Sequence, residues 1–377
     1  MLTLTRAFSK SVLLLKSAIS FPVYEPVPQD DIEGSHASKS SDPPRRGRVY
    51  CLLCLALGCI AGAIIASCSI ARSRHRRHYN PVGLYQDINS FPIVSNSKPE
   101  SRAIVTSLYT DEYALSVATL GQTLSSHNII ERRLVMYLPG RLSSRSLCIV
   151  AAAGWEPVPV ARIPAPHHGE GITPRFMETY AKLNMWGFDK MGIDVLLYLD
   201  GDTLVRNRFD ELWDLPYSFA AVPDVYGGEP SFTISLNSGV LLVRPSSAVM
   251  EDMLSKLETT SFPRIEGDQA FLNTYFAPQT LCLPYIYNGN LAIKLVAPDS
   301  DVWASIKNEL RIVHYTSTVI KPFWYLSDGV EWSRNWNQSI HKLMEGEKGE
   351  LREEMQWWSD AWDDLMEQHF TSLDACS

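Results

Sequence analysis

The chain has 377 residues, 45% of them hydrophobic, which is enough for one large globular domain or two small ones. The charge is uneven: the first 77 residues carry 11 Lys and Arg against 5 Asp and Glu, whereas the remainder carries 23 against 37. This acidic main region argues against nucleic acid as a partner.

The N-terminal part divides into three predicted segments. Residues 1–48 predict a disordered cytosolic tail; residues 1–20 also match a mitochondrial presequence weakly, and we favour the tail. Residues 49–71 carry no charge and have arginines on both sides, so we expect one transmembrane helix. Residues 72–100 predict a polar stem. Four Lys or Arg flank the span on each side, so charge does not set its orientation.

The cysteines do not indicate a disulfide scaffold, because seven in a chain of this length are too few. Four of them lie in the predicted span, which leaves Cys148, Cys282 and Cys376 in the main region. If this region is lumenal, Cys148 and Cys282 can form a disulfide bond.

From residue 103 onward, apolar runs alternate with helical patterns. The predicted strands are Ala103–Leu108, Leu134–Leu138, Val195–Leu199, Phe219–Val222, Val240–Val243 and Ile312–His314. The predicted helices are Ala114–Leu124, Phe176–Phe188, one opening at Gly267, and an amphipathic one at Leu351–Phe370. This alternation predicts an α/β domain at residues 101–345, with a mostly parallel sheet covered by helices on both faces, and residues 346–377 packed on it.

The most informative motif is the end of the predicted strand Val195–Leu199. Asp200 and Asp202 follow this apolar run directly. Ligand sites in such sheets lie outside the carboxyl ends of the strands, and two carboxylates there can hold a hard divalent cation. A second Asp-x-Asp, Asp299 to Asp301, has no apolar run before it and predicts a loop.

Four further clusters share the alternating region. They are Thr179–Trp186, Leu236–Val240, Gly267–Gln269, and His314-Tyr315 followed by Lys321-Pro322. In this order and spacing they resemble glycosyltransferase family 8, the glycogenin-like and galactinol-synthase-like enzymes, over about residues 104–324. Membrane-anchored fungal members are the most similar in organisation.

The resemblance implies a GT-A fold, which is one nucleotide-binding α/β domain, and retaining transfer from a UDP-sugar with manganese. Asp200 and Asp202 match the metal-binding acids, and His314 matches the third ligand. One nitrogen among oxygens suits manganese better than calcium. A hydrogen-bonded core histidine is the alternative interpretation of His314.

The resemblance also implies donor-binding residues. Tyr113 matches the aromatic residue that stacks on uracil, and Lys182 and Lys321 match lysines beside the donor phosphates. The whole predicted donor-binding set is Ser107, Tyr109, Thr110, Tyr113, Arg175, Lys182, Gly201 and Lys321.

The predicted catalytic residues are Asn237 beside the donor sugar, Asp268 and Gln269 facing the anomeric carbon, and Asp224 on the donor side. Retention requires either a carboxylate nucleophile or attack from the face of the leaving phosphate, so Asp268 is a nucleophile or sugar-positioning candidate. The chain departs from the family pattern at three positions. Thr110 replaces an Asn, Ile265 replaces an acid, and Ser317 replaces a Gly, with one extra residue before Lys321.

The sequence therefore predicts a Mn²⁺-dependent hexosyltransferase that moves glucose, galactose or N-acetylglucosamine from a UDP-sugar. We expect a glycan, glycoprotein or glycolipid acceptor and a single-pass Golgi protein with a lumenal catalytic domain. The alternatives are a self-glucosylating primer and an inactive membrane-anchored scaffold on the same fold. The sequence does not indicate the oligomeric state.

Overall fold

The computed structural model describes residues 97–226, 231–296, 301–316, 321–325 and 349–376. The predicted tail, the predicted span and most of the predicted stem lie outside the described residues. Within these described ranges, no helix is both long and apolar enough to cross a bilayer.

Seven strands form the main sheet, in the order β3-β2-β1-β4-β7-β6-β8. Four of its six neighbouring pairs are parallel, and only β4 with β7 and β7 with β6 are antiparallel. The predicted α/β class and mostly parallel sheet are therefore confirmed. The strands are β1 Arg102–Leu108, β2 Arg132–Tyr137, β3 Glu156–Pro159, β4 Val195–Leu199, β6 Phe219–Tyr226, β7 Ser231–Val243 and β8 Leu281–Cys282.

A second sheet has the order β5-β10-β9 and consists of β5 Thr203–Val205, β10 Ile312–His314 and β9 Gly289–Asn290. In it, His314 pairs with Thr203 on one side and with Asn290 on the other. Because β5 begins directly after Asp202, this register places the last residue of β10 beside the acid pair.

Helices cover both faces of the main sheet, as predicted. Alternate residues of β1 point to opposite faces: Ile104 lies in a core with α1, α2 and α7, and Val105 in a core with α3, α4 and a long 3₁₀ helix. The α-helices are α1 Ala114–Ser126, α2 Ser144–Ala152, α3 Ser247–Leu257, α4 Asp268–Phe276, α5 Ala292–Val296, α6 Val302–Ile306 and α7 Arg352–Asp374. The 3₁₀ helices are Pro99–Ser101, Asp111–Tyr113, Pro166–Gly169, Pro174–Phe176, Thr179–Met191, Asp210–Asp214, Arg264–Glu266, Ala277–Gln279, Tyr285–Tyr287, Pro322–Tyr325 and Gly349–Leu351.

Two elements differ from the predicted ones. The segment expected as a helix at Phe176–Phe188 is the 3₁₀ helix Thr179–Met191, which ends at the left-handed Gly192 (φ 76°). Strand β6 continues past Pro223, and its pairing with β7 shifts register on both sides of this residue. Proline lacks an N–H for the ladder, so it fits a strand at such an irregularity.

The disulfide expected between Cys148 and Cys282 is wrong. Cys148, on α2, is bonded to Cys376 after α7, whereas Cys282 is free and exposed. The reason lies in the topology: β8, which carries Cys282, is the edge strand of the main sheet, whereas α7 packs on α1 and α2. The strand order, which was not evident from the cysteine spacing, decides the partner.

Helix α7 also reaches the small sheet. Glu354, fully buried, accepts hydrogen bonds from Lys294 at 3.0 Å and from the Trp303 indole at 2.8 Å. Its backbone carbonyl accepts the hydroxyl hydrogen of Tyr315. Since Tyr315 directly follows His314, α7 supports the end of β10 from behind.

Candidate active site

The acid pair lies at the carboxyl end of β4, where the sequence predicted it. Asp202 is buried, and the Asp200 side chain is 31% exposed. Gly201 between them is closely packed, because an added Cβ would lie 3.0 Å from the Val117 side chain and 3.5 Å from the Tyr113 ring. The pair is therefore fixed in place, with one carboxylate open to solvent.

His314 completes a three-residue cluster with the two acids. Its Nε2 lies 3.1 Å from Asp202 Oδ1 and 3.9 Å from Asp200 Oδ2. One ligand atom from each residue lies within 4.8 Å of the others. Two carboxylate oxygens and an imidazole nitrogen form a donor set that fits a divalent ion of the Mn²⁺ kind.

Lys321 occupies the second oxygen of Asp202. Its Nζ contacts Asp202 Oδ2 and donates to the Tyr315 carbonyl at 2.7 Å. Burial alone would raise the pKa of Asp202, but the Lys321 ammonium and His314 outweigh it and hold this pKa well below its usual range. Asp202 is therefore ionised. The departure from the family pattern at Ser317 lies outside the described residues.

Lys182 joins the acid pair to Asp268. Its Nζ lies 3.3 Å from Asp200 Oδ1 and 3.1 Å from Asp268 Oδ2. Burial alone would lower the pKa of Lys182, but the two carboxylates raise it above its usual range, so the ammonium stays charged. Each acid of the pair thus turns one oxygen to a lysine and the other to His314.

Asp224 is the centre of a hydrogen-bonded amide cluster. Its Oδ1 accepts from Asn237 Nδ2 at 3.1 Å, Asn290 Nδ2 at 3.3 Å and the Val225 amide at 2.8 Å. Its Oδ2 accepts from Gln269 Nε2 at 2.8 Å. Burial raises the pKa of Asp224, although these hydrogen bonds oppose the rise. Protein donors therefore engage both oxygens.

Asp268 begins α4 and is buried. Its Oδ2 accepts from Ser238 Oγ at 3.3 Å in addition to its contact with Lys182. The preceding Gly267 has φ 64°, and an added Cβ there would lie 2.7 Å from Phe176 Cβ. Only glycine fits this turn without strain, and the turn delivers the carboxylate to Lys182.

Ser107 reaches the acid pair through a residue that the sequence prediction missed. The Tyr198 hydroxyl donates to Asp200 Oδ1 at 2.7 Å and lies 2.6 Å from Ser107 Oγ. Because the tyrosine proton points to Asp200, Ser107 is the donor to Tyr198. Tyr198 is one polar side chain in an apolar strand, and this is the signal that sequence reasoning could have used.

The remaining donor-binding candidates lie around this cluster. The Tyr113 ring is 4.6 Å from the Phe323 ring, centroid to centroid. Burial raises the pKa of Tyr109. Thr110 and Arg175 are exposed. Direct contacts therefore join most of the predicted residues into one cluster, and these two lie at its solvent side.

Asn288 and Asn290 are buried members of the cluster that sequence reasoning missed. They flank Gly289, and this pattern indicates a turn. The strand between them has two residues, which is too short to show a periodic pattern. Ser238 was missed as well, although its amide donates to Gln269 Oε1 at 3.0 Å.

Comparison with known proteins gives a consistent result. Residues 173–325 match the family model for Glycosyl transferase family 8. Inositol phosphorylceramide glucuronosyltransferase 1 of Arabidopsis thaliana is 27% identical over 66% of this chain and 48% of its own length. Human glycogenin-1 is 29% identical over 60% of this chain and 63% of its own. The chain thus spans about half of the first relative and under two thirds of the second.

Among solved structures, the glycosyltransferase GlyE of Streptococcus pneumoniae TIGR4 is similar at a TM-score of 0.45 and 20% sequence identity, over 64% of each chain.

Proposed function

This chain is a glycosyltransferase whose residues 173–325 match family 8, and from that premise we propose a retaining, Mn²⁺-dependent hexosyltransferase of the GT-A type. The donor is a UDP-sugar, and the acceptor is a hydroxyl group of a glycan, glycoprotein or glycolipid. The observation that carries the proposal is the convergence of Asp200, Asp202 and His314 between two buried lysines.

Each residue has a role in this proposal. Asp200, Asp202 and His314 hold the cation, which when bound neutralises the donor diphosphate and the charge that develops on departing UDP. Lys321 and Lys182 give the diphosphate two further positive charges, fixed before the substrate arrives.

On the sugar side, Asp268 is the carboxylate nearest the transfer. The bond from the anomeric carbon to the phosphate oxygen breaks, and a bond to the acceptor oxygen forms on the same face. Asn237 and Gln269 hold the donor sugar, while Asp224 orients both amides through its hydrogen bonds to them.

A UDP-sugar that carries a carboxylate is a second candidate donor. The buried Nη1 of Arg264 and the hydroxyl of Tyr180 have no hydrogen-bond partner among the described residues. Burial raises the pKa of Tyr180, Asp268 raises it further, and Arg264 lowers it, so these groups are neighbours. A guanidinium suits a carboxylate, and one relative is named as a glucuronosyltransferase.

The decisive experiment measures UDP release by the full-length chain with Mn²⁺ and UDP-glucose, UDP-galactose, UDP-N-acetylglucosamine or UDP-glucuronate. We expect release from one donor and background release from Asp200→Asn. Release from UDP-glucuronate alone, weakened in Arg264→Gln, selects the second candidate. Sugar incorporated into the chain itself would indicate a self-glucosylating primer. Equal release from wild type and Asp200→Asn would contradict the metal-dependent mechanism.

We also propose a Golgi lumenal location behind one membrane span at residues 49–71. The uncharged segment and its flanking arginines support the span. The Cys148–Cys376 disulfide supports an oxidising compartment. Thiol labelling of the chain from cells tests this: Cys282 alone should react among residues 97–376. Reaction of Cys148 and Cys376 as well would contradict a lumenal domain.

A further inference from the structure

We infer that Asn288 is a positioning residue that keeps a proton on Nδ1 of His314 and thereby turns Nε2 toward the acid pair. The inference starts at the backbone of β7. The Gly239 N–H donates to Asn237 Oδ1 at 3.0 Å, and Asn237 Nδ2 donates to Asp224 at 3.1 Å. Because a backbone N–H can only donate, the amide of Asn237 has one possible orientation.

The orientation of Asn237 determines that of Asn288. Asn237 Oδ1 is an acceptor, so Asn288 presents Nδ2 to it, at 2.9 Å. Asn288 Oδ1 therefore faces Nδ1 of His314, at 3.1 Å. An amide oxygen can only accept, so Nδ1 carries a hydrogen. Asn288 is 0% exposed, and bulk water therefore does not compete for this bond.

The position of the imidazole ring is fixed by packing as well. An added Cβ at Gly239 would lie 2.1 Å from His314 Cε1 and 2.6 Å from Nδ1. The strand thus lies directly against the ring, and only a glycine permits this approach. A flip of the ring would put a carbon in place of Nδ1 against Asn288 Oδ1 and lose the hydrogen bond.

The consequence concerns the other nitrogen. Nε2 is the ring atom beside Asp202 Oδ1 and Asp200 Oδ2, so it is the nitrogen that can exchange its proton for a cation. A hydrogen bond at the non-ligating nitrogen is what fixes the tautomer of a metal-binding histidine. This use of Nε2 rests on the proposed metal-dependent function, whereas the proton on Nδ1 does not.

The first test is ¹⁵N NMR of the full-length chain labelled at histidine, with a His314→Gln spectrum to identify the signal. We expect a protonated Nδ1 both without metal and with Mg²⁺, a diamagnetic divalent cation. An unprotonated Nδ1 in either state would overturn the inference. The wild-type protein suffices for this result, so it does not depend on the folding of an Asn288 variant.

The second test measures Mn²⁺ affinity by electron paramagnetic resonance. We expect Asn288→Leu to bind Mn²⁺ about 10- to 100-fold more weakly, and Asn288→Asp, which keeps an acceptor, to restore most of the affinity. Asn290→Leu is the matched control, because Asn290 lies on the same strand and contacts Asp224 instead of the imidazole. Equal weakening in the two leucine variants would overturn the inference. Failure of wild type to bind Mn²⁺ would contradict the proposed function instead.

Discussion

The candidate site has two halves that are held together differently. In the amide half, centred on Asp224, neutral amides with fixed orientations surround one carboxylate. In the lysine half, Asp200 and Asp202 are paired with the charged side chains of Lys182 and Lys321. An amide network keeps its shape without a ligand, whereas a diphosphate and a cation can compete for the charges of the lysine half. The comparison indicates a rigid sugar side beside an exchangeable phosphate side.

The largest effect should follow removal of the lysine that joins the acids. Lys182→Met leaves Asp200 and Asp268 without their shared cation, and breaking a buried pair in this way costs about 3–5 kcal/mol of folding free energy. Urea denaturation measures the loss. Lys256→Met, which breaks a more exposed i,i+4 pair with Asp252, should cost about 0.5 kcal/mol. Similar losses in both variants would mean that Lys182 is not held as described.

Removal of the second lysine should affect turnover more than folding. Lys321→Met should lower kcat by about 10²- to 10³-fold, the usual effect of losing one fixed electrostatic stabiliser. KM should change less, because the charge on departing UDP develops during the reaction. The control is Lys307→Met, which removes a surface pair with Glu353. A rise in KM with unchanged kcat would assign Lys321 to ground-state binding.

A smaller effect is expected in the amide half. Asp224→Asn places an NH₂ group where an oxygen accepts hydrogen bonds, which should cost about 1–3 kcal/mol of unfolding free energy. Thermal denaturation measures the change. Asp360→Asn alters an exposed carboxylate that accepts from Gln356 and should have no measurable effect. A neutral result at Asp224 would show that the amides can reorient, and would contradict a rigid sugar side.

The smallest effect should come from an exposed cluster outside both halves. The hydrogen bond from Arg162, together with Arg141, lowers the pKa of Glu178. The resulting stability is present above the ordinary carboxyl pKa and is lost as the pH falls through the lowered folded value. Glu178→Gln should cost less than about 1 kcal/mol at neutral pH. The difference from wild type should vanish in acid, and denaturation across this pH range would detect a difference that persists.

The sequence predicts the lysine half better than the amide half. Asp200 and Asp202 end an apolar run, and His314 ends another, so strand patterns place all three at one edge. Asn288, by contrast, acts from a two-residue strand whose only signal is a turn-like pattern around a glycine.

The disulfide was mispredicted for a related reason. The partner of Cys148 depends on where α7 packs, and the amphipathic pattern of that helix shows that it packs but not on which elements.

The central claim is that Asp200, Asp202 and His314 couple a divalent cation to UDP. Calorimetry of UDP binding to the full-length chain, with and without Mn²⁺, tests it directly. We expect Mn²⁺ to raise UDP affinity by about tenfold or more, a coupling free energy in the ordinary range, and expect Asp202→Asn to abolish the increase. Equal UDP affinity in wild type with and without Mn²⁺ would contradict the account.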